Sequence, residues 1–230
     1  MSADPGLSVV PAESAPSLIA ERAYLGLRDR IVTLRLAPGS VLREDELMRE
    51  LDIGRTPLRE AVKRLTLENL VAVRPRRGTF VTDVHPADIA ALTEVRVELE
   101  GYAAQLAAER LDDDGRREVR ALIAELDKFA RQGDQDGLMQ LDQRVHRLTW
   151  AAARNPYLLD TLERSFTLSL RIWYVVLDRM PTLRTAVHRQ IEFLEALLDG
   201  DPGAARALMR DHVLAFQDEV DAAFALDDGR

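Results

Sequence analysis

The chain has 230 residues, enough for one large or two modest domains, and its 47% hydrophobic and 30% charged residues are typical of a globular protein in water. It contains no cysteine, which excludes disulfides and thiolate chemistry, and no apolar run approaches the roughly 18 residues of a membrane span. The net charge is −8, and the absence of a signal peptide predicts a cytoplasmic protein without a membrane partner.

The first third of the chain is predicted to form a small DNA-binding fold. Residues 1–16 combine proline, glycine, serine and alanine without periodicity and are predicted to be a disordered tail. The hydrophobic spacing after the tail predicts three helices and two short strands, at about 17–34, 44–51, 56–69, 70–74 and 79–82. Thr56 is expected to cap the third helix, with Pro57 at its first position. Two short helices followed by a β-hairpin predict a winged helix-turn-helix over residues 17–84.

Basic side chains concentrate on the third helix and at the hairpin tip of this predicted winged domain. Residues 49–80 hold 8 basic and 4 acidic residues, although the whole chain is acidic. The basic residues repeat every four positions on the helix and recur beside the tip glycine: Arg55, Arg59, Lys63, Arg76 and Arg77. A solvated helix face is the alternative, but it does not account for both locations. The pattern therefore predicts contact with double-stranded DNA, with the helix in a major groove.

From residue 85 onward the sequence shows no strand-like alternation. Six amphipathic segments, separated by short breaks, span about 86–110, 113–132, 135–153, 156–179, 182–199 and 202–226. Short breaks place consecutive helices antiparallel, so residues 85–230 are predicted to form an all-α bundle. The predicted fold class is therefore mainly α: a winged helix-turn-helix of three helices and a β-hairpin, followed by an antiparallel helical bundle.

Arg96 lies within an apolar stripe of the first bundle helix, together with Leu92, Leu99 and Ala103. Its guanidinium is expected to point into the bundle, where a buried charge has to be paired. Two pairings stay open at this point. One is an internal ion pair with a carboxylate such as Asp142, and the other is a bidentate clamp for the carboxylate of a ligand.

Three further polar residues, Asp142, His146 and His212, lie on or beside apolar stripes of two bundle helices. Asp142 and His146 are four residues apart and share one helix face, while His212 lies beside Met209 and Val213 on the last helix. A carboxylate and two imidazoles that converge in a core suit Zn²⁺, Ni²⁺ or Mn²⁺. The alternative for each histidine is an ordinary core side chain with satisfied hydrogen bonds.

The stretch GSVLREDELMRELDIGRTPLREAVKRLTLENLVAVRPRRGTFV closely resembles the DNA-binding domain of GntR-type bacterial regulators, with RTPLREAVKRL as its most specific segment. The resemblance covers about residues 18–84 and implies four DNA contacts, by Arg55, Thr56, Arg59 and the wing-tip Gly78. We add Arg77 because of its charge at the tip. Asp52 stands where relatives usually have a glycine, and Gly54 stands where they usually have a serine. The turn can accommodate Asp52 because aspartate can adopt the left-handed conformation.

The segments VRVELEGYAAQLAAERL, LDQRVHRLTWAAARNPYL and LEALLDGDPGAARALMRDHV resemble the FCD ligand-sensing domain of the FadR subgroup. The resemblance implies a dimer of helical bundles that bind a divalent metal and an organic acid in the core. An ungapped alignment of ALLDGD places Gln190 where relatives have a third metal-binding histidine, whereas His188 lies about 200° around the same helix from that position. Because glutamine is a weak neutral ligand, we expect weakened metal binding or recognition of the ligand by hydrogen bonds alone.

Together these features predict a ligand-responsive, sequence-specific transcriptional regulator that is not an enzyme. The expected form is a homodimer that places two third helices in successive major grooves of a palindromic operator. A small carboxylate effector is expected to bind near Arg96 and Gln190 and to relieve repression. Two alternatives stay open: an architectural DNA-binding dimer without an effector, and a metal-dependent hydrolase fused to a DNA-binding domain.

Overall fold

The computed structural model describes residues 19–132, 135–176 and 184–225, so the predicted tail at 1–16 lies outside the described residues. These ranges form nine helices and one two-stranded sheet. In chain order they are α1 (Ile19–Val32), α2 (Glu44–Leu51), α3 (Arg55–Leu67), β1 (Val71–Arg74), β2 (Gly78–Val81), α4 (Pro86–Arg110), α5 (Asp113–Gln132), α6 (Gln135–Ala152), α7 (Pro156–Val176), α8 (Arg184–Asp199) and α9 (Pro202–Ala225). The predicted mainly-α class is confirmed. None of the described helices is both long and apolar enough to cross a membrane.

The chain divides into two compact units, which we call the winged unit and the bundle unit. The winged unit contains the described residues up to His85 together with Thr167–Val175 of α7. Within this unit, Arg171 donates a hydrogen bond to the hydroxyl of Thr82 at 2.7 Å. The bundle unit contains Pro86–Phe166 and the described residues from Val176 onward.

The winged unit has its own apolar core. Helices α1, α2 and α3 and the hairpin surround a cluster of fully or nearly buried side chains, among them Leu27, Ile31, Leu58, Leu65 and Val81. The hairpin is antiparallel, with Val71 opposite Val81 and Arg74 opposite Gly78. Burial of this many aliphatic side chains away from water is what fixes the three helices around one another.

The turn between α2 and α3 differs in one respect from the sequence prediction. Asp52 ends α2 in the left-handed conformation, with φ of 50°, as its tolerance for that conformation allows. The prediction that Thr56 caps α3 is wrong, because Gly54 occupies the N-cap and α3 begins at Arg55. Pro57 therefore lies within the first turn, where a helix needs no amide donor and a proline costs nothing.

The bundle unit packs its helices around a second apolar core. Helix α4 packs along α9, and α5 packs against α6 and α8. The core includes Leu122, Leu126, Leu194, Met209 and Val213, all almost completely buried. The helices of this core also carry several buried polar side chains, and these polar side chains form the candidate site.

Candidate functional site

The outward face of α3 carries the predicted DNA-binding residues. Leu58, Ala61 and Leu65 point into the core of the winged unit, and the opposite face of the helix lies in solvent. Arg55, Thr56 and Arg59 are exposed there, at the N-terminal end of the helix. The N-terminal residues of a helix in this position are those that reach base edges in the major groove.

The wing tip is exposed and tightly turned. Arg76 and Arg77 both lie in solvent, and Arg76 has a positive φ of 62°. Gly78 adopts φ of 103°, a region that a residue with a Cβ rarely enters, although no atom lies near enough to obstruct a side chain. The glycine is therefore required by the backbone conformation of the turn. The two arginines beside it are exposed to solvent.

One basic residue of α3 has a structural position instead. The Arg64 guanidinium lies 3.4 Å from the centre of the Tyr24 ring of α1 and donates to Glu21 at 2.8 Å. The Tyr24 hydroxyl donates to Glu68 at 2.9 Å, and burial raises the pKa of Tyr24. These contacts tie α3 to α1, so the Arg64 side chain, although 48% exposed, is already engaged within the winged unit.

In the bundle unit, the structure brings Asp142, His146 and His212 together, and we call them the Asp–His–His cluster. The Nε2 atoms of the two histidines are 3.3 Å apart. Asp142 Oδ1 lies 3.3 Å from Nε2 of His212 and 3.8 Å from Nε2 of His146. Although burial would raise the pKa of Asp142, the adjacent histidines outweigh that effect and lower it. Three potential ligand atoms therefore lie close together: the spacing of four residues places Asp142 beside His146, and the fold brings His212 to them.

The spacing of these atoms fits a metal ion. Ligand atoms bound tetrahedrally at about 2.05 Å from a zinc ion lie about 3.3 Å from one another. Two of the three separations in the cluster equal that value, and the third is only slightly longer. The side chains of Asp142 and His212 are 24% and 15% exposed, so the cluster is reached from their side. The chain thus has a possible Asp/His/His metal site.

Gln190 and His188 occupy the positions that the alignment indicated. Gln190 is buried, and its amide donates a hydrogen bond to Asp142 Oδ1, beside the cluster. The His188 ring is 78% exposed and pairs with Glu192 at 3.4 Å. His188 therefore does not replace the missing third histidine.

Arg96 is buried as predicted, but its carboxylate partner differs from the one suggested. The guanidinium donates through Nη2 and Nε to Oε1 of Glu100, at 2.7 and 3.2 Å. Glu100 lies one turn further along the same helix, α4, and is fully buried. The expected ion pair with Asp142 is therefore corrected to one with Glu100, because the i, i+4 spacing brings that carboxylate onto the same inward face.

Glu100 is the residue that the sequence analysis missed. Its Oε2 lies 3.0 Å from Nδ1 of His146 and accepts a hydrogen bond from the indole of Trp150 at 2.8 Å. Although burial would raise the pKa of Glu100, the neighbouring His146 and Arg96 hold it well below its usual range. The signal that could have revealed it is its spacing of four residues from an arginine on an apolar stripe.

The fold and the two sets of residues define a class of protein. A winged helix-turn-helix with basic residues on an exposed third helix is a DNA-binding module, and a polar cluster inside a helical bundle suits a small ligand. Two family models match the chain: bacterial regulatory proteins of the gntR family over residues 19–81, and the FCD domain over residues 91–215. The chain belongs to the GntR family of bacterial transcriptional regulators and carries an FCD domain.

Individual relatives agree with this assignment. The chain is 33% identical over 214 residues to an HTH-type transcriptional regulator in an unstable DNA locus of Streptomyces ambofaciens, which spans 86% of this chain and 83% of that protein. It is 24% identical over 200 residues to the HTH-type transcriptional repressor RspR of Escherichia coli K12, over 87% and 88% of the two chains.

Among solved structures, Escherichia coli McbR/YncC matches with a TM-score of 0.79 at 21% identity, over 92% of this chain and 99% of that one. This likeness extends to the whole fold, from the winged helix to the helical domain. The predicted family, fold class and regulatory function are therefore confirmed: this is a transcriptional regulator with a DNA-binding helix-turn-helix and a ligand-sensing FCD domain.

Proposed function

We propose that this regulator is a homodimeric repressor, released from its operator by a small carboxylate that binds at the Asp–His–His cluster with the help of a divalent metal ion. The observation that carries the proposal is the separation of the three ligand atoms, which matches metal-ligand geometry inside a ligand-sensing domain. The repressor named among its relatives supports the sign of the response. We place its action in the cytoplasm, where its DNA target lies.

Asp142, His146 and His212 would hold the metal ion, as Zn²⁺, Ni²⁺ or Mn²⁺. A bound cation would supply a localised positive charge that attracts a carboxylate ligand. Gln190 lies at the edge of the cluster and donates to Asp142, which stabilises that carboxylate but adds no imidazole to the ligand set. We therefore expect affinity for metal to be lower than in a site with three histidines.

The carboxylate effector is assigned to the exposed side of the cluster and to the amide of Gln190. Asp142 and His212 are the partly exposed members, so a ligand reaches the cluster past them. Arg96 remains a candidate effector residue, but its guanidinium already bonds the buried Glu100. Because a guanidinium carries five N–H donors, it could keep this ion pair and also donate to a ligand carboxylate, so Arg96 stays in the proposed effector site.

For DNA binding, we propose that each protomer inserts α3 into a major groove of a palindromic operator. Arg55, Thr56 and Arg59 would contact bases and adjoining phosphates, while Arg77 and Gly78 bring the wing against the DNA backbone. The effector would change operator affinity by binding one conformation of the dimer more tightly than another. An architectural dimer that lacks an effector would have the same DNA contacts but no such response.

The test is thermal unfolding of chelator-stripped protein, with Zn²⁺, Ni²⁺ and Mn²⁺ added back singly and each combined with a panel of small carboxylates. A ligand that binds only the folded state raises the unfolding midpoint. A carboxylate-dependent rise that requires metal supports the proposal. If carboxylate alone raises the midpoint, the ligand is recognised directly through Gln190 and no metal is needed. If nothing raises the midpoint, the architectural dimer is favoured.

A matched variant, Gln190→His, restores a third imidazole beside the cluster. We expect it to bind metal about 10-fold more tightly or better, because imidazole is a stronger ligand than a neutral amide. Competition with a chromogenic chelator measures the difference. His188→Gln, on the exposed face of the same helix, is the control and should leave metal affinity unchanged.

A further inference from the structure

Glu100 joins a buried guanidinium and a buried imidazole of the bundle core through a single carboxylate. It is fully buried on α4, and its partners come from two helices: Arg96 from α4, and His146 and Trp150 from α6. Oε1 accepts from Arg96, while Oε2 faces both Trp150 and Nδ1 of His146. A carboxylate with this many buried neighbours is held in one orientation.

The chemistry of the partners determines the proton on His146. Arginine and the tryptophan indole are donors only, so Glu100 accepts from both and is the acceptor in this network. Nδ1 of His146 then has to carry the proton that it presents to Oε2 at 3.0 Å. A neutral imidazole has one N–H, so Nε2 keeps its lone pair. That atom is the one directed at Asp142 and His212.

The His146 ring is also held against rotation. The Phe166 ring lies 4.7 Å from it and the Trp150 ring 5.8 Å, centre to centre, and His146 is almost completely buried. A flipped ring would turn a carbon toward Glu100 and lose the 3.0 Å contact. Tautomer and orientation are thus both fixed by groups that do not belong to the Asp–His–His cluster.

We propose that Glu100 is a positioning residue: it holds His146 in the Nδ1–H tautomer and so keeps the Nε2 lone pair directed into the cluster. As far as metal binding is concerned, this inference rests on the proposed function, because the lone pair would be the metal ligand. Carboxylates that hold ligating histidines in this way typically change metal affinity about 10- to 100-fold when they are removed. Glu100 would therefore act on the metal through His146 without contacting it.

The experiment is an NMR spectrum of the imidazole nitrogens in chelator-stripped protein with isotope-labelled histidine, at mildly alkaline pH where imidazole is neutral. The chain has 4 histidines, so His146 is assigned from the spectrum of a His146→Gln variant. We expect the Nδ1–H tautomer for His146 in the parent protein. An Nε2–H tautomer, or a mixture of the two, would overturn the proposal before any substitution at Glu100 is made.

The Glu100→Gln variant provides the second arm. Its amide cannot accept from all the donors around it, so we expect His146 to lose its single tautomer and metal affinity to fall about 10- to 100-fold. Trp150→Phe is the control: it removes one donor to Glu100 and perturbs the same core, yet should keep the Nδ1–H signal. An unchanged His146 signal in Glu100→Gln would contradict the proposal.

The metal titration separates this inference from the proposed function. If the parent protein shows the Nδ1–H tautomer, Glu100→Gln loses it and neither binds Zn²⁺, then Glu100 positions His146 but the metal-dependent function is wrong. If the parent binds Zn²⁺ and Glu100→Gln retains both the tautomer and the affinity, the metal-dependent function stands and the positioning role is rejected.

Discussion

The winged unit and the bundle unit differ in where they place their candidate functional side chains. Arg55, Arg59 and Arg77 are exposed, and the apolar core of the winged unit is formed by other residues. His146 and Gln190, in contrast, are buried and bonded to other polar groups inside the bundle core. Substitutions of these exposed arginines should therefore change DNA binding alone, whereas substitutions of the buried polar residues in the bundle should change binding and stability together.

The sharpest test of this contrast is Glu100→Ala. Removing the carboxylate leaves the buried Arg96 without this ion pair, and breaking a buried pair from one side costs about 3–5 kcal/mol. We expect the free energy of unfolding to fall by that amount, as measured by urea denaturation. A loss of less than about 1 kcal/mol would show that water or another group replaces the carboxylate, and would contradict the fixed network described here.

The double variant Arg96→Met with Glu100→Leu checks the cause of that loss. Replacing both charges by apolar side chains of similar size removes the buried guanidinium together with its carboxylate, so stability should recover in large part. His146 and Trp150 would still lack their acceptor, and we therefore expect the recovery to be incomplete.

The next effect in size is the loss of the metal response in His212→Ala. A metal present at about 100 times its Kd stabilises the folded protein by about 2.7 kcal/mol, and a cluster without His212 should lose most of that increment. Thermal unfolding with and without Zn²⁺ measures it. Operator binding in the absence of metal should persist in the variant, because the winged unit has its own core. His188→Ala is the matched control. If it lost as much of the Zn²⁺ stabilisation as His212→Ala, the metal would not be bound at the Asp–His–His cluster.

The helical framework could be predicted from the sequence because its signals are local. Apolar stripes mark the helices, and breaks such as Gly200-Asp201-Pro202 separate them, so the predicted bundle segments agree with the described helices to within a few residues. The start of α3 could not be fixed in the same way. Both Gly54 and Thr56 are acceptable N-caps, and the choice depends on how the turn from α2 meets the core.

The interior polar network was only partly predictable, for a physical reason. Helical periodicity places Asp142 and His146 on one face of their helix, whereas the convergence of His212 with them follows from the resemblance to the FCD domain. The spacing of Glu100 from Arg96 marks it as a possible partner, but its complete burial results from the packing of α4 against helices distant in the chain. Arg96 was therefore paired with a residue across the bundle when its actual partner lies one turn away.

In the winged unit, Arg59→Ala tests the opposite side of the comparison. The side chain is exposed, so stability should change by no more than about 0.5 kcal/mol. Operator affinity should fall by about 1–3 kcal/mol, or roughly 5- to 150-fold, if Arg59 contacts a base edge. Fluorescence anisotropy with operator DNA and with a scrambled duplex measures both affinity and specificity. Unchanged operator affinity would remove Arg59 from the recognition surface.

The smallest predicted effect is that of Arg77→Ala at the wing tip. A backbone phosphate contact carries no sequence information, so affinity should fall by a similar factor for operator and scrambled DNA. The slope of log affinity against log salt should become shallower by about 1, since one fewer counterion is released. If Arg77→Ala instead relaxed discrimination between the two duplexes, the wing would read bases, and the separation between a specifying helix and a positioning wing would be wrong.

Arg64→Ala provides the contrast within the same unit. Because Arg64 holds α3 to α1 through Tyr24 and Glu21, its loss should lower the free energy of unfolding, an effect that Arg77→Ala should not have.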